Sequence, residues 1–498
     1  MGEVEQSVLV RYMKQRFPAD IIHTLFASSV PTPTQQTKEN TLFASREFSL
    51  STRSGQWLRP FNFTDAAQMV RCATTMRDIC RIDIGGIFVR VPRRVRSPDG
   101  TSSVVHDADT VLIGSEIRFD CDANDMAHLR GCCGSAKKLC VRCWPLSLLA
   151  VKAIRHIMHS LFACTHILCV FSGRRGVHVW VFDLHMLAHP QRSNIGAVFS
   201  HIEMYQQHLR DFETFLSRNC TSDKFLAVEQ YITTTHKSLC TEILVPQFLS
   251  MVENGTPLFF RTEANNYGPS LQHKRTKLKC NIDTSSLSSA EGVWVLVCAC
   301  VVPGLDTQLV DSIEQYFQNM PLQTIESEST FYHPKHQLQF IRSLIDNYAA
   351  GGAAAHDEIW MRIVTRLAIL CIAKLDMGVT VSANHMLKIP FIPNMQCSGC
   401  TVSVAFDPDT MIQHNPLVEV PDVDALVQNT NGAVSAFSRY TDYTRTFARR
   451  LYDDRMKTLK TAAAKYEEEK SVYISRVCGV LDRPVAPRRS LQSFQPLV

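Results

Sequence analysis

The chain has 498 residues, of which 45% are hydrophobic and 20% charged, with a formal net charge of +5. That length predicts more than one hydrophobic core, and the mild basic excess falls short of a strongly basic nucleic-acid-binding domain. We expect no secretory signal, because the first residues are charged and amphipathic, and no spanning helix, because the longest apolar run is ten residues, 293–302. The 18 cysteines are therefore expected to be reduced thiols or metal ligands.

The predicted elements change character twice along the chain. Strand-like segments at 49–62, 82–91 and 171–182 flank a polar stretch at 91–109, long helical patterns follow, and short strands return at 389–391 and 401–406. This order predicts an α/β core interrupted by a helical block. The predicted divisions are core 1–186, mostly helical insertion 187–370, completing core 371–430, amphipathic helix 431–470 and disordered tail 471–498.

The segment EIRFDCDAND at 116–125 ends a predicted strand with two carboxylates, Asp120 and Asp122. Residues two apart lie on one face of a strand, so the like charges are side by side. Their repulsion is relieved by a divalent cation such as Mg²⁺ or Mn²⁺, which carboxylate oxygens bind. The alternative is a solvated strand end that runs into a turn.

The segment SGRRGVH at 172–178 lies between two predicted strands. Its two glycines allow a tight turn that directs both guanidinium groups to one point, where they match phosphate oxygens. The candidate phosphate ligands are Ser172, Arg174, Arg175 and His178. A solvated basic hairpin is the alternative interpretation.

Four cysteines stand within twelve residues: Cys132, Cys133, Cys140 and Cys143. A C-x₂-C pair with two further thiols nearby is typical of a closed, structural Zn²⁺ site. The alternative is a group of buried free thiols. A second pair, Cys397 and Cys400, has no partner pair nearby and is interpreted as free thiols.

These motifs, in this order and at these spacings, resemble the catalytic small subunit of archaeal and eukaryotic DNA primases, and the eukaryotic branch in particular. The resemblance covers about residues 9–395. It is carried by SREF (45–48), RIDIG (81–85), FDCD (119–122), CC…CxxCW (132–144), SGRRGVH (172–178) and KLD…NHMLKIPF (374–391).

The resemblance implies an RRM-like primase core of the α/β (α+β) class, with an inserted helical subdomain and a zinc-binding loop at 132–143. It implies that Asp376 joins Asp120 and Asp122 in holding two Mg²⁺ or Mn²⁺ ions, and that the four cysteines hold Zn²⁺. Nucleotide binding is implied for the SGRRGVH side chains and for Lys388, Asp83, Glu47 and Arg59.

The implied activity is de novo synthesis of short RNA primers on single-stranded DNA from ribonucleoside triphosphates. The implied setting is the nucleus, in a heterodimer with a primase large subunit and in company with a replicative DNA polymerase. A repair polymerase on the same fold that prefers deoxynucleotides is one alternative. A zinc-bearing nucleic-acid-binding module without catalysis is another.

The sequence departs from the family pattern at two places. The interval between Cys133 and Cys140 is one residue longer than expected, and Asn394 stands where the family usually has a histidine six residues after Lys388. A neutral amide forms weaker hydrogen bonds to phosphate than a charged imidazole does. We therefore expect weaker nucleotide binding if Asn394 faces the triphosphate.

Overall fold

A computed structural model describes residues 3–27, 42–76, 78–96, 102–105, 107–108, 110–122, 139–187, 189–210, 223–256, 258, 312, 334–348, 352–393, 401–410 and 415–481. Mixed helices and antiparallel sheets make up this part of the chain. None of its helices is both long enough and apolar enough to cross a membrane.

Two antiparallel sheets form the α/β core, and a separate hairpin lies beside the first. The strands of the first sheet are β1 Arg46–Thr52, β2 Trp57–Phe61, β3 Ile79–Phe88, β6 Leu112–Gly114 and β10 Leu387–Lys388. Their order in the sheet is β10-β3-β1-β2, and β6 also pairs with β3. In the second the order is β11-β8-β9-β7: β7 is Ile117–Asp122, β8 Ile167–Phe171, β9 Gly176–Val181 and β11 Val404–Phe406. The hairpin pairs β4, Arg93–Arg96, with β5, Ser102–Val105.

Helices surround the sheets and form the inserted block. Those of the first part are α1 Glu3–Gln15, α2 Ala19–Ala27, α3 Ala66–Thr75 and α4 Trp144–Phe162. The inserted block contains α5 His189–Arg210, α6 Asp223–Thr235, α7 Val245–Glu253, α8 Pro334–Tyr348 and α9 Ala353–Leu370, with a π-helical turn Leu239–Leu244 before α7. The completing part contains α10 Met377–Val381, α11 Pro416–Glu419, α12 Val423–Gln428 and α13 Ala433–Leu481.

The chain therefore returns to the core after the insertion, because β10 pairs with β3 and β11 pairs with β8. β8 and β9 are buried along nearly their whole length, as expected for apolar strands covered on both faces. The aromatic pair Trp144–Phe171 packs α4 on the second sheet, with ring centroids 5.7 Å apart. This packing holds the end of β8, from which the chain enters the SGRRGVH turn.

A buried arginine network ties the two sheets together. Arg46 on β1 forms a two-pronged ion pair with Glu116, which immediately precedes β7. Burial alone would raise the pKa of Glu116, but the Arg46 charge outweighs burial and the pKa falls to about 2. Arg118 of β7 donates to the Ile84 carbonyl on β3 at 2.9 Å, and Arg192 of α5 donates to the Thr380 carbonyl on α10 at 2.9 Å. Such buried charges are stable only when they are paired.

The apolar stripe of the last helix packs on the core, with Phe437, Tyr440, Phe447 and Leu451 all buried. Beyond it α13 continues to Leu481, so the predicted helix end at 470 is wrong, and residues 471–481 are helical rather than disordered. Residues 482–498 lie outside the described residues. The predicted polar loop at 91–109 is likewise wrong in part, because it contains the β4–β5 hairpin.

Candidate active site

The predicted metal and phosphate motifs meet in one cleft at the ends of β7 and β9. These strands pair antiparallel, and their register sets Asp120 opposite His178 and Asp122 opposite Gly176. The cleft has a volume of about 180 Å³. Its lining residues are Cys80, Arg81, Asp120, Asp122, Ser172, Arg174, Arg175, Gly176, His178, Lys388 and Pro393.

The two carboxylates of β7 lie on the open side of their strand. The side chains of Asp120 and Asp122 are both 34% exposed, whereas Phe119 and Cys121 between and beside them are fully buried. Asp122 is paired with Arg175, whose Nε lies 2.9 Å from Oδ1. Asp120 Oδ1 lies 3.7 Å from His178 Nε2. The predicted strand geometry is therefore present, and the carboxylates face the cleft.

The fold brings Asp376 beside Asp120, although the two are distant in sequence. The Asp376 amide donates to the Asp120 carbonyl at 3.3 Å, and Leu375 forms an antiparallel bridge with Cys121. The Asp376 carboxylate, however, accepts the Gly378 amide at 3.0 Å and caps α10. Across the described segments, no three His, Cys, Asp or Glu side chains cluster closely enough to hold a metal ion. The oxygen donors of Asp120 and Asp122 fit a divalent cation, with Asp376 on the neighbouring segment.

The SGRRGVH turn connects β8 to β9 and is held in shape by its own hydrogen bonds. The Ser172 amide donates to the Gly176 carbonyl at 2.9 Å, and the Gly176 amide donates to Ser172 Oγ at 3.1 Å. Gly173 has φ +82°, and a Cβ there would lie 2.7 Å from the Thr401 carbonyl oxygen, so a side chain is excluded. Arg174 and Arg175 consequently line the cleft from a rigid turn.

His178 lies at the bottom of this cleft and is 7% exposed. Burial lowers its pKa well below the usual value, and the charges of Lys388 and Arg81 lower it further. Its Nδ1 has no hydrogen-bond partner among the described residues. Both effects favour the neutral imidazole, and the ring atom on the cleft side is Nε2, which lies 3.7 Å from Asp120 Oδ1.

Lys388 enters the cleft from the first sheet and so links the two sheets at the site. Its Nζ donates to the Ser172 carbonyl at 2.6 Å, and in the sheet it pairs with Asp83. Asp83 is buried and accepts Arg81 Nε at 2.6 Å and Ser49 Oγ at 3.4 Å. A positive charge is thus held opposite the two carboxylates of β7.

Glu47 and Arg59 bind each other but do not line the cleft. Arg59 Nε and Nη2 donate to the two Glu47 carboxylate oxygens at 2.8 and 3.1 Å. Neither residue, nor Asp83, is among those that line the cavity. All three lie on the first sheet, in β1, β2 and β3, on the side from which Lys388 reaches the cleft.

The described half of the cysteine cluster has the geometry of a metal-binding turn. Cys140 Sγ and Cys143 Sγ lie 3.7 Å apart, and the Cys140 amide points to Cys143 Sγ at 3.4 Å. Two ligands of one tetrahedral Zn²⁺, each at about 2.3 Å, stand about 3.8 Å apart. The sulfur pair therefore fits Zn²⁺. Cys132, Cys133, Asn394, Cys397 and Cys400 lie outside the described residues.

Four of the residues that line the cleft were not predicted as site residues: Cys80, Arg81, Gly176 and Pro393. Arg81 lines the cleft, holds Asp83 and lowers the pKa of His178, and Cys80 lies beside it. Arg81 belongs to the RIDIG motif, in which the resemblance implies a nucleotide-binding role only for Asp83. Its alternation with Asp83 on β3 was the signal, because both point to the same side of the strand.

The family model and the known proteins to which the chain is similar all carry the same description. The family model for the DNA primase small subunit matches residues 119–394, more than half of the chain. The chain is similar to proteins named DNA primase small subunit: 30% identical over 182 residues in Drosophila melanogaster, 28% over 184 in Schizosaccharomyces pombe and 25% over 359 in Saccharomyces cerevisiae.

The matched segments cover 36%, 36% and 70% of this chain and 37%, 37% and 70% of those three proteins, in the same order. The first two relatives are thus matched over little more than a third of their length. The family match itself spans β7 from Phe119 onward, the cleft strands β8 and β9, and β10. The chain belongs to the DNA primase small subunit family.

Proposed function

We propose that the chain is the catalytic subunit of a DNA primase and synthesises short RNA primers de novo on single-stranded DNA. The observation that carries the proposal is the pairing of opposite charges in one cleft. Asp120 and Asp122 lie on one wall, and Arg174, Arg175 and Lys388 surround the same space. A nucleoside triphosphate with divalent cations needs both groups, because carboxylates bind the cations and the basic side chains bind phosphate oxygens.

The residues have separate tasks in the proposed reaction. Asp120 and Asp122, with Asp376, would hold two Mg²⁺ or Mn²⁺ ions. These ions, when bound, supply activation of the attacking hydroxyl and neutralisation of the pyrophosphate leaving group. Ser172, Arg174 and Arg175 orient the triphosphate from the rigid turn, and Lys388 provides a point charge to it. His178 Nε2, the ring nitrogen on the side of Asp120, donates a hydrogen bond to a phosphate oxygen when it carries the ring proton.

The remaining proposals concern the setting of the reaction. We infer that ribonucleoside triphosphates are the substrates, that Zn²⁺ bound by the four cysteines has a structural role, and that the enzyme works in the nucleus. A primase large subunit and a replicative DNA polymerase complex are the proposed partners. The family relationship supports all of these, and the Cys140–Cys143 spacing supports zinc.

The test is primer synthesis on poly-dT with ATP and Mn²⁺, with and without a large subunit. Asp120→Asn and Asp122→Asn should each lower synthesis by about 10³-fold or more, because several kcal/mol of transition-state stabilisation are lost. Asp424→Asn, a change of an exposed aspartate on α12, is the matched control and should keep full activity.

Three results would decide against the proposal. Full synthesis by Asp120→Asn or Asp122→Asn would remove the metal assignment. A strong preference for deoxynucleotides over ribonucleotides would favour the repair-type polymerase. Binding of DNA with no synthesis under any condition would favour the non-catalytic zinc-bearing protein.

A further inference from the structure

Trp57 is a large aromatic side chain that is held in one orientation and yet is 54% exposed. It begins β2, the edge strand of the first sheet. Its indole Nε1 donates to Ser49 Oγ at 2.8 Å. An isolated exposed hydrophobic residue is ordinary on a protein surface. A hydrogen bond that fixes the ring while much of it faces solvent is a feature that suits stacking with a ligand.

A continuous row of polar contacts connects Trp57 to the cleft. Ser49 Oγ, which accepts from Trp57, donates to Asp83 at 3.4 Å, and Asp83 accepts from Nε of Arg81, a cleft-lining residue, at 2.6 Å. Asp83 also pairs in the sheet with Lys388. Trp57 is three strands away from Lys388 and is offset by two residues along β1, because it pairs with Ser51 whereas Lys388 and Asp83 are in the row of Ser49. The two residues are therefore about 16 Å apart. The indole is therefore on the same sheet face as the cleft lysine, a short distance outside the cleft.

Arginine side chains lie near the Trp57 indole, on β2 and at the base of the β4–β5 hairpin. The Arg59 guanidinium carbon lies 4.9 Å from the centroid of the Trp57 ring, and the guanidinium donates to both carboxylate oxygens of Glu47. The strand β4 of the hairpin lies against β2. Arg90 and Arg93 at the base of this hairpin are 61% and 65% exposed and flank Asp107. Aromatic side chains beside basic ones are the surface by which proteins bind single-stranded nucleic acids.

We propose that Trp57 is a stacking platform for an unpaired base of the single-stranded template, with Arg59 and the β4–β5 hairpin beside the phosphate backbone. The proposal rests on the function proposed above, which requires a template to reach the cleft. Stacking on an aromatic ring is tolerant of sequence, because every base has a π face. This suits a template strand that must be read at any sequence.

The test is binding of a fluorescently labelled dT oligonucleotide, measured by anisotropy without nucleotide or divalent cation. Trp57→Leu should weaken binding by about 5- to 150-fold, the range expected for one lost base stack. Trp57→Phe keeps a ring but not the indole N–H, and should stay within about threefold of the wild type. Trp360→Leu is the matched control, because Trp360 also lies under an arginine, Arg342 at 5.8 Å, but on α9 of the helical block.

The outcomes separate the two proposals. Wild-type affinity in Trp57→Leu, equal losses in Trp57→Leu and Trp360→Leu, or no measurable binding by the wild type would overturn the stacking site. A loss of ATP affinity with unchanged oligonucleotide affinity would assign the ring to the incoming nucleotide and overturn it too. If the wild type binds DNA through Trp57 but makes no primer, the stacking site stands and the proposed catalysis fails.

Discussion

The guanidinium of Arg175 covers the carboxylate of Asp122, with Nε 2.9 Å from Oδ1 and 3.0 Å from Oδ2. An arginine of the predicted phosphate-binding motif thus neutralises a carboxylate of the predicted metal-binding motif. The pair is formed because the β7–β9 register sets Asp122 opposite Gly176, the residue that follows Arg175. A cation and a triphosphate that enter together would separate the two side chains and satisfy both of them.

Arg175→Gln should therefore change the affinities for metal and nucleotide in opposite directions. Without the arginine, Asp122 lacks a competing cation, and Mn²⁺ should bind about two- to fivefold more tightly, since a partly exposed ion pair is worth up to about 1 kcal/mol. ATP affinity should fall by about 10-fold or more, because a charge-assisted contact is lost. Electron paramagnetic resonance of Mn²⁺ and isothermal titration measure the two affinities.

Arg174→Gln is the control for this change, because Arg174 lines the same cleft from the same turn. It should weaken ATP binding and leave the Mn²⁺ affinity unaltered. Weaker Mn²⁺ binding in Arg175→Gln would show that Arg175 supports the metal site instead of competing with it.

Lys388→Ala should lower kcat/KM for ATP by about 10- to 150-fold, the range for one hydrogen bond to a charged group. The same change removes a positive charge from beside His178, so the pKa of that imidazole should rise. Steady-state kinetics measure kcat/KM for ATP, and the histidine resonances in NMR spectra report the pKa of His178. Lys374→Ala, a change of a 52% exposed lysine paired with Glu203, should leave both unchanged.

The zinc proposal predicts one Zn²⁺ per chain, and Cys140→Ser should lose it. Because metal binding contributes directly to folding, the melting temperature should fall by about 5 °C or more, and a chelator should produce a similar fall in the wild type. Elemental analysis and thermal melting are the measurements. Cys72→Ser, a change of a half-buried thiol on α3, should retain the metal. A zinc-free wild type would refute the proposal.

The core of the site was predictable because it depends on local rules. Strand alternation places Asp120 and Asp122 on one face, and glycines at the ends of the SGRRGVH turn allow both arginines to reach one point. Both features are present in the fold. What could not be predicted is the pairing of distant side chains. Arg46 belongs to the SREF motif and has a structural partner, Glu116, that is 70 residues away.

The end of the long final helix could not be predicted from its apolar stripe, for a different reason. The predicted end at 470 followed the end of the apolar stripe, but α13 continues to Leu481, and residues 464–472 on the way are exposed. Its distal part is rich in Ala, Lys and Glu, which have high helix propensity without burial. Lys470 and Glu467 also lie within 3.5 Å of each other, one helical turn apart. Local propensity therefore maintains the helix where the tertiary pattern no longer requires it.

His166 connects this helix to the strand that precedes the SGRRGVH turn. Its Nδ1 lies 3.2 Å from Asp183 Oδ1, and its Nε2 lies 3.0 Å from Asp454 Oδ2 on α13. The hydrogen bond to Asp183 raises the pKa of His166, burial opposes the rise, and Asp454 adds to it. A raised pKa in the folded state means that the stabilisation is fully present below the unfolded-state pKa of about 6.5. It is lost as the pH rises through the higher folded-state pKa.

His166→Gln should therefore lower the melting temperature most at acidic pH. We expect a deficit of about 1 °C at pH 6, equivalent to about 1 kcal/mol for a chain of this length, that becomes smaller as the pH rises above 7. Asp454→Asn should reproduce part of this deficit with the same direction, because it removes one of the two carboxylates and leaves Asp183. The measurement is thermal melting of the three proteins from pH 6 to 8.5. A deficit that stays constant or grows with pH would show that the imidazole contributes by packing and not through its charge.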